Sequence, residues 1–205
     1  NFTNVNIQKC FNILGEYAVI GKAASSNIEG YQYALLNSIS QTCMVAVSQN
    51  YGAKDKKRTL KSFYICCLLE LIVVTTFDLI LLVLHKPLLS IFINANEETS
   101  IEATKVAITS LIVMGIPYAI CGIAECCTSF LRGMKKPFAP TIVSLACIVG
   151  IRMIFIWGLF DIEYFHNALW LYLTYPISWI LCCLVYIPVV LKLKKITVDK
   201  FDLAW

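Results

Sequence analysis

The sequence predicts an all-α integral membrane protein, a bundle of closely spaced transmembrane helices, and three observations carry that expectation. Hydrophobic residues make up 59% of the chain and charged residues 15%, with a mean hydropathy of +0.72. A soluble domain of 205 residues has too little interior to hide that much apolar surface. The charges are also clustered: long stretches free of Lys and Arg alternate with short basic knots, as in a polytopic helical membrane protein. Finally, basic and acidic knots alternate from one apolar stretch to the next.

The elements follow in order. Residues 1–14 are apolar but too short to cross a bilayer, which takes about 20 residues, and Gly15-Glu16 ends them. With no initiator Met and no signal-peptide pattern in residues 1–10, the chain is expected to start inside a helix already under way. The second stretch, 19–47, is more polar than the others and holds Ser25, Ser26, Asn27, Glu29, Asn37 and Gln41. Such a helix belongs inside a bundle or beside a water-filled cavity. Its small residues at four-residue spacing, Gly21 with Ser25 and Ser26 with Gly30, would let another helix approach closely. Gly52 is its expected C-cap.

The third span is expected over 60–84, followed by an irregular segment, 85–99, with Pro87 as breaker and His85 in an exterior loop. The fourth, 101–131, carries Pro117 in its middle, which permits a bend. The fifth covers 140–160. The sixth covers 169–191, interrupted by Pro176 and Pro188.

Orientation comes from the knots. Lys54, Lys56, Lys57, Arg58 and Lys61 lie after the second span, Arg132, Lys135 and Lys136 after the fourth, and Lys192, Lys194 and Lys195 after the sixth. The alternate connections hold Glu16, then Glu97, Glu98 and Glu102, then Asp161 and Glu163. The positive-inside rule makes the basic connections and the C-terminus cytoplasmic. Trp157, Phe160, Tyr164, Trp170 and Tyr172 fit an aromatic belt at the opposite interface.

Several function classes drop out. The net charge of +4 does not argue for nucleic acid, because the basic residues sit where a membrane protein needs them anyway. Ten cysteines, three pairs of them adjacent, lie mostly inside apolar runs and read as small packing residues, neither disulfides nor metal ligands. No hydrolase elbow, metalloprotease helix or phosphate-binding loop is present, so no enzyme, cofactor or metal is expected.

What remains is buried charge. An ionisable group in a bilayer costs about 2.5–3.5 kcal/mol on insertion scales and is a functional candidate by default. Glu29, Glu70, Asp78, Glu125 and Arg152 fall inside the expected spans. Glu125 is the leading candidate to bind a coupling cation, because a desolvated carboxylate can exchange a proton near neutral pH or hold Na⁺ through its oxygens. It reads equally as a structural partner for Arg152 on the next helix. Arg152 keeps its charge and needs a carboxylate, carbonyls or water. Glu29 and Asp78 reach similar depths on antiparallel helices, although interfacial snorkelling or pairing is the expected role of Asp78 and Glu70. Tyr31, Tyr33, Tyr118, Tyr175 and Trp179 are able to stack on an organic cation or simply to pack.

Several strings then fall in a recognisable order: ASSNIEG at 24–30, SQNYGAKD at 48–55, GIAE at 122–125 with FLRGM at 130–134, the stretch from Pro140 to Arg152 with Trp157, and YPISW at 175–179. Over nearly the whole chain the sequence resembles the second lobe of bacterial MATE (multidrug and toxic compound extrusion) transporters. The resemblance implies one six-helix lobe, its first helix truncated, of a twelve-helix protein with two lobes around a central cavity. It implies a multi-pass protein of a bacterial cytoplasmic membrane that exports organic cations or drugs in exchange for H⁺ or Na⁺, with a missing N-terminal lobe as partner. Glu125 would bind the coupling ion, and Glu29, Asn27, Tyr31, Tyr33 and Arg152 would line or shape the cavity. In NorM-type relatives the acidic residue of this helix lies one turn earlier, where Cys121 stands here, and Lys135 replaces a common Gly. The rival expectations are a lipid-linked-sugar flippase of the same superfamily, whose cavity would be strongly cationic, and a non-transporting membrane scaffold.

Overall fold

The structure is a computed structural model that describes residues 2–93 and 98–202, with side chains described for 3–93 and 99–192. Glu97 of the second acidic knot and the side chains of Glu98, Lys194 and Lys195 lie outside the described residues. Among the described residues the elements are helical throughout, in keeping with the predicted class. They are α1 (Phe2–Leu14), α2 (Glu16–Gly52), α3 (Lys56–Leu89), α4 (Glu98–Gly115), α5 (Tyr118–Gly133), α6 (Phe138–Ser144), a π-helical segment (Leu145–Gly150), α7 (Ile151–Gly158), a 3₁₀ turn (Glu163–Phe165) and α8 (Ala168–Asp202).

Three of these units are long and apolar enough to cross a membrane: α3, the continuous run Phe138–Gly158, and α8 over Ala168–Lys192. The bent pair α4–α5 makes a fourth, with a 49° angle between its halves. That break falls where Pro117 was expected to permit a bend; Pro117 stands just before α5 as its N-cap and has no N–H to continue α4. At about 1.5 Å per residue α2 is about 55 Å long, ample for a bilayer, but it is too polar to pass as a span by composition.

Prolines break less than the sequence suggested. Helix α3 runs on through Pro87 to Leu89, so His85 lies in its last turns and not in a loop, and Leu89 and Ile93 are buried beyond it. Helix α8 continues through both Pro176 and Pro188. Neighbouring helices hold such segments together, which a proline rule for isolated helices ignores.

Helix α2 is the hub, packing along α3, α4 and α5, while α8 lies along α5 and α4. Its buried stripe runs Gly21, Ser25, Ile28, Gln32, Leu36, Ser40, Cys43 and Val47, every third or fourth residue and mostly small or polar. Close approach is real at Gly21: a Cβ there would stand 2.9 Å from Val106 Cβ and closer still to the Ala103 carbonyl of α4. Gly30 meets nothing, so of the two expected small-residue pairs only the first is a helix contact.

Helices α2 and α5 end alike. In each, the N–H two residues past the cap reaches back to the carbonyl five residues earlier, Asp55 to Asn50 and Lys136 to Leu131, both at 3.0 Å. Lys54 and Lys135 take the left-handed position, with φ of 59° and 60°. This is the Schellman ending. It puts the left-handed residue at Lys54 and not at Gly52, which is still helical. Asp55 then caps α3, its Oδ1 accepting from the Arg58 N–H at 2.9 Å.

All ten cysteines are free and eight are buried. Six of them pack with Val47, Phe63, Phe130 and Tyr186 in one apolar cluster at the basic-loop end, the packing role expected. The aromatic belt is only partly so: Trp157 and Tyr164 are exposed, but Phe160 and Tyr172 point into the bundle.

Candidate functional site

The buried polar groups of this bundle sort themselves by helix pair. Between α2 and α3, Gln32 donates its amide to Asp78 Oδ1 at 2.6 Å, both residues being buried. Between α2 and α4, the buried Ser110 hydroxyl donates to Glu29 Oε1 at 2.5 Å. Between α3 and α5, Glu70 is fully buried; Cys126 Sγ lies 3.9 Å from its Oε2, and its Oε1 has no partner. The Glu70 carboxyl fills the space that a side chain at Gly122 would need: a Cβ there would lie 2.8 Å from Oε1 and 3.1 Å from Cδ.

Glu70 and Asp78 therefore do not snorkel to an interface. They lie on the stripe Phe63, Cys66, Glu70, Val74, Asp78, Leu81 that faces the bundle. That stripe was available in the sequence. In a helix apolar on every side, the polar residues mark the inward face, because lipid covers the rest. Gln32 and Lys22 were missed for a different reason: α2 is polar on several faces, so no single polar residue marks its inward one. Lys22 sits seven residues before Glu29, two turns along the same face, with its ammonium 5.0 Å from the Phe11 ring centre and Glu29 as its carboxylate neighbour.

Glu125 is half-buried on α5, three residues beyond Gly122 and one before Cys126, near enough to Glu70 for the two carboxyls to feel each other's charge. Its charged neighbour is Arg132, two turns further on, and Tyr33 and Cys121 stand close enough to share its field. It does not pair with Arg152. Among the described residues the recorded ion pair is the exposed Arg58–Asp55 contact at 3.8 Å. Arg152 instead lays its guanidinium 3.9 Å above the Tyr175 ring and reaches Ser178 Oγ at 3.5 Å, while its Nε has no partner.

The remaining expected residues scatter. Tyr31 lines a shallow apolar groove of about 390 Å³ with Ala34, Leu35, Ser38 and Phe77. Tyr33, about 200° round the helix, faces the α5 side. Asn27 is exposed and returns its amide to the Ala23 carbonyl. Tyr118 and Trp179 meet edge to face at 5.3 Å within an apolar cluster. Two sites thus emerge: the buried Glu70 at the α3–α5 contact, within reach of the charge of Glu125, and Arg152 on the Tyr175 ring just after the π-segment.

A multi-pass helical membrane protein with unpaired charges in its interior is the build of a transporter. The MatE family model matches residues 6–157, well over half of the chain, and the chain belongs to that family. Among curated proteins none is significantly similar. A solved structure described as the outward-facing conformation of a multidrug resistance MATE family transporter of the MOP superfamily shares the fold. It superposes with a TM-score of 0.73 at 17% identity, covering 89% of this chain. The chain spans 40% of the length of that transporter.

Proposed function

We propose that this chain serves as the C-terminal lobe of a cation-coupled exporter, moving organic cations or drugs out across a bacterial cytoplasmic membrane against inward flow of H⁺ or Na⁺. The observation that carries the reading is Glu70, fully buried with one carboxylate oxygen unpartnered and within reach of the charge of Glu125. A bare anion in that position is too costly to hold, so the group must take a proton or a metal cation. Glu125, half-buried on α5, would exchange the ion with the central cavity, and Glu70 would share it from behind.

In this reading the ion's binding energy differs between outward and inward states, and that difference drives the cycle. The break at Pro117 lets the α5 half that carries Glu125 tilt against α4. Glu29, Asn27, Tyr31 and Tyr33 on the polar hub helix would line or shape the path of the cargo, with Arg152 beyond them. The three basic connections would face the cytoplasm.

The test uses the full-length transporter in a drug-sensitive bacterial strain. Export of a fluorescent organic cation is measured for the parent, Glu125→Gln and Glu70→Gln, with the proton and sodium gradients collapsed in turn. Export that depends on one gradient and is lost in both variants, at unchanged membrane abundance, supports the reading and names the ion. Normal export by Glu125→Gln removes it from coupling, and no export under either gradient refutes the antiporter.

A further inference from the structure

We propose that Cys67 and Cys126 form a redox-modified pair: a hydroperoxide oxidises the Cys67 thiol, and Cys126 then closes a reversible disulfide between α3 and α5, with Glu70 taking its proton. The chemistry of this modification site rests on the thiol geometry, and only its effect on export would rest on the proposed function.

The register of the α3–α5 contact puts the two thiols face to face. Phe63 of α3 meets Phe130 of α5 with ring centres 4.6 Å apart. Glu70 of α3 meets Gly122 of α5, where a Cβ would lie 2.8 Å from its Oε1. Seven residues along α3 thus answer eight along α5, in the opposite direction. Midway between the two contacts lie Cys66 and Cys67 on one helix and Cys126 on the other. Of the adjacent pair, Cys66 turns to Cys43 of α2, and Cys67 is the one hydrogen-bonded to Cys126. Cys126 also donates to Glu70 Oε2 at 3.9 Å, so a proton acceptor already stands on one thiol of the pair. Among the described residues no three His, Cys, Asp or Glu side chains are placed to hold a metal ion. The partners of these thiols are one another and Glu70.

Access decides which thiol meets the oxidant. Cys66, Cys43, Cys126 and Cys67 make a chain of contacts across three helices. The first three are buried, Cys43 and Cys126 completely, whereas Cys67 is partly exposed. It lies six residues beyond Lys61, about 9 Å along the helix from the basic end, within reach of a small uncharged oxidant. Cys147 and Cys182 also touch, between the π-helical segment and α8. No carboxylate bonds either of those thiols among the described residues, so that pair lacks a base.

With hydrogen peroxide the steps balance. The Cys67 sulfur attacks one peroxide oxygen, the O–O bond breaks, and the thiol proton leaves with the other oxygen as water. Sulfur is oxidised by two electrons to the sulfenic acid, and the peroxide is reduced by two. Cys126 then passes its proton to Glu70, and its sulfur attacks the Cys67 sulfur. The S–S bond forms, the S–O bond breaks, and the departing hydroxide takes the proton back from Glu70 to leave as a second water. A thiol reductant reverses the bond by exchange. The cross-link ties α3 to α5 one turn from Glu70 and removes the thiol that bonds its carboxyl.

The full chain, purified in dodecylmaltoside and freed of reductant, is treated with hydrogen peroxide, quenched with N-ethylmaleimide and digested for mass spectrometry. The expected product is one disulfide-linked peptide pair joining Cys67 to Cys126. Two of the ten thiols should be lost and both regained after dithiothreitol. The oxidised chain should melt about 5 °C or more above the reduced one, because the bond closes a long loop. Cys67→Ser, at a partly exposed position, should fold as the parent does and yield no linked pair. Glu70→Gln should form the pair about tenfold more slowly or worse, for want of the base. A dominant disulfide at Cys43–Cys126, Cys43–Cys66 or Cys147–Cys182 overturns the assignment, as does oxidation of Cys67 to the sulfinic acid with no cross-link. An unchanged rate in Glu70→Gln overturns the role given to that carboxyl. Loss of no thiol at a peroxide dose that oxidises free glutathione overturns the proposal outright.

Discussion

Replacing Gly21 by Ala is expected to destabilise the bundle, although the same change at Gly30 on the same helix should stabilise it. At Gly21 the new Cβ would stand 2.9 Å from Val106 Cβ and 3.1 Å from its Cγ1, and nearer still to the Ala103 carbonyl oxygen. Carbon atoms rest at about 3.5–4.0 Å, so α2 and α4 must part by about half an ångström or more. A backbone oxygen has no rotamer by which to withdraw, which puts the overpacking cost near the top of its range, about 3 kcal/mol. Parting also loosens Ala103 and Ala107, both fully buried in that contact. Ala in place of Gly returns about 1 kcal/mol of helix propensity, leaving a net loss of about 2 kcal/mol. Gly30 has nothing within 4 Å of its would-be Cβ, so there only the propensity acts, a gain of about 1 kcal/mol. Thermal unfolding of the full chain in detergent should place Gly21→Ala about 4–8 °C below the parent and Gly30→Ala about 2–4 °C above it. A Gly21→Ala protein that melts at or above the parent would refute the close contact between α2 and α4.

Two other expectations rest on equally local geometry. Lys54→Gly and Lys135→Gly each relieve a left-handed residue that carries a side chain, and each should raise stability by about 1 kcal/mol; a lower melting temperature for both would contradict the Schellman endings. Gln32→Leu removes the amide donor from the buried Asp78 carboxyl and should cost about 1–3 kcal/mol. Adding Asp78→Leu should recover most of that loss, read by the same unfolding assay.

The apolar spans were legible because a 20-residue window integrates over many residues and no single one decides it. Helix α3 and the run Phe138–Gly158 stand out on that ground. Single-residue signals fared less well where neighbours decide the outcome. Pro87, Pro176 and Pro188 read as breaks, yet the surrounding helices carry the backbone through all three. Gly52 read as a cap because glycine favours the left-handed position, but the turn put that conformation on Lys54. The pairing of Glu125 with Arg152 was a reasonable guess from adjacent helices, and the π-helical segment shows why it failed. A turn bonded from i to i+5 shifts the face on which Arg152 emerges, and no 3.6-residue count through that segment can place it. Glu70 and Asp78 were visible as charges; their burial needed the phase of the α3 stripe, which only the polar residues themselves define.

The polarity of the hub helix also bears on how the bundle is assembled. Glu29 lies within about 8 Å of the middle of α2, where an ionisable group costs about 2.5–3.5 kcal/mol, so α2 partitions into lipid less readily by itself than its neighbours. Helix α3 is apolar enough to cross, and the Schellman turn followed at once by the Asp55 cap ties the two into a hairpin only a few residues after α2 is made. The Gln32–Asp78 bond gives the paired helices a buried polar contact that neither has alone. A mutation that breaks that contact is expected to show first as a lower abundance of the folded chain in the membrane.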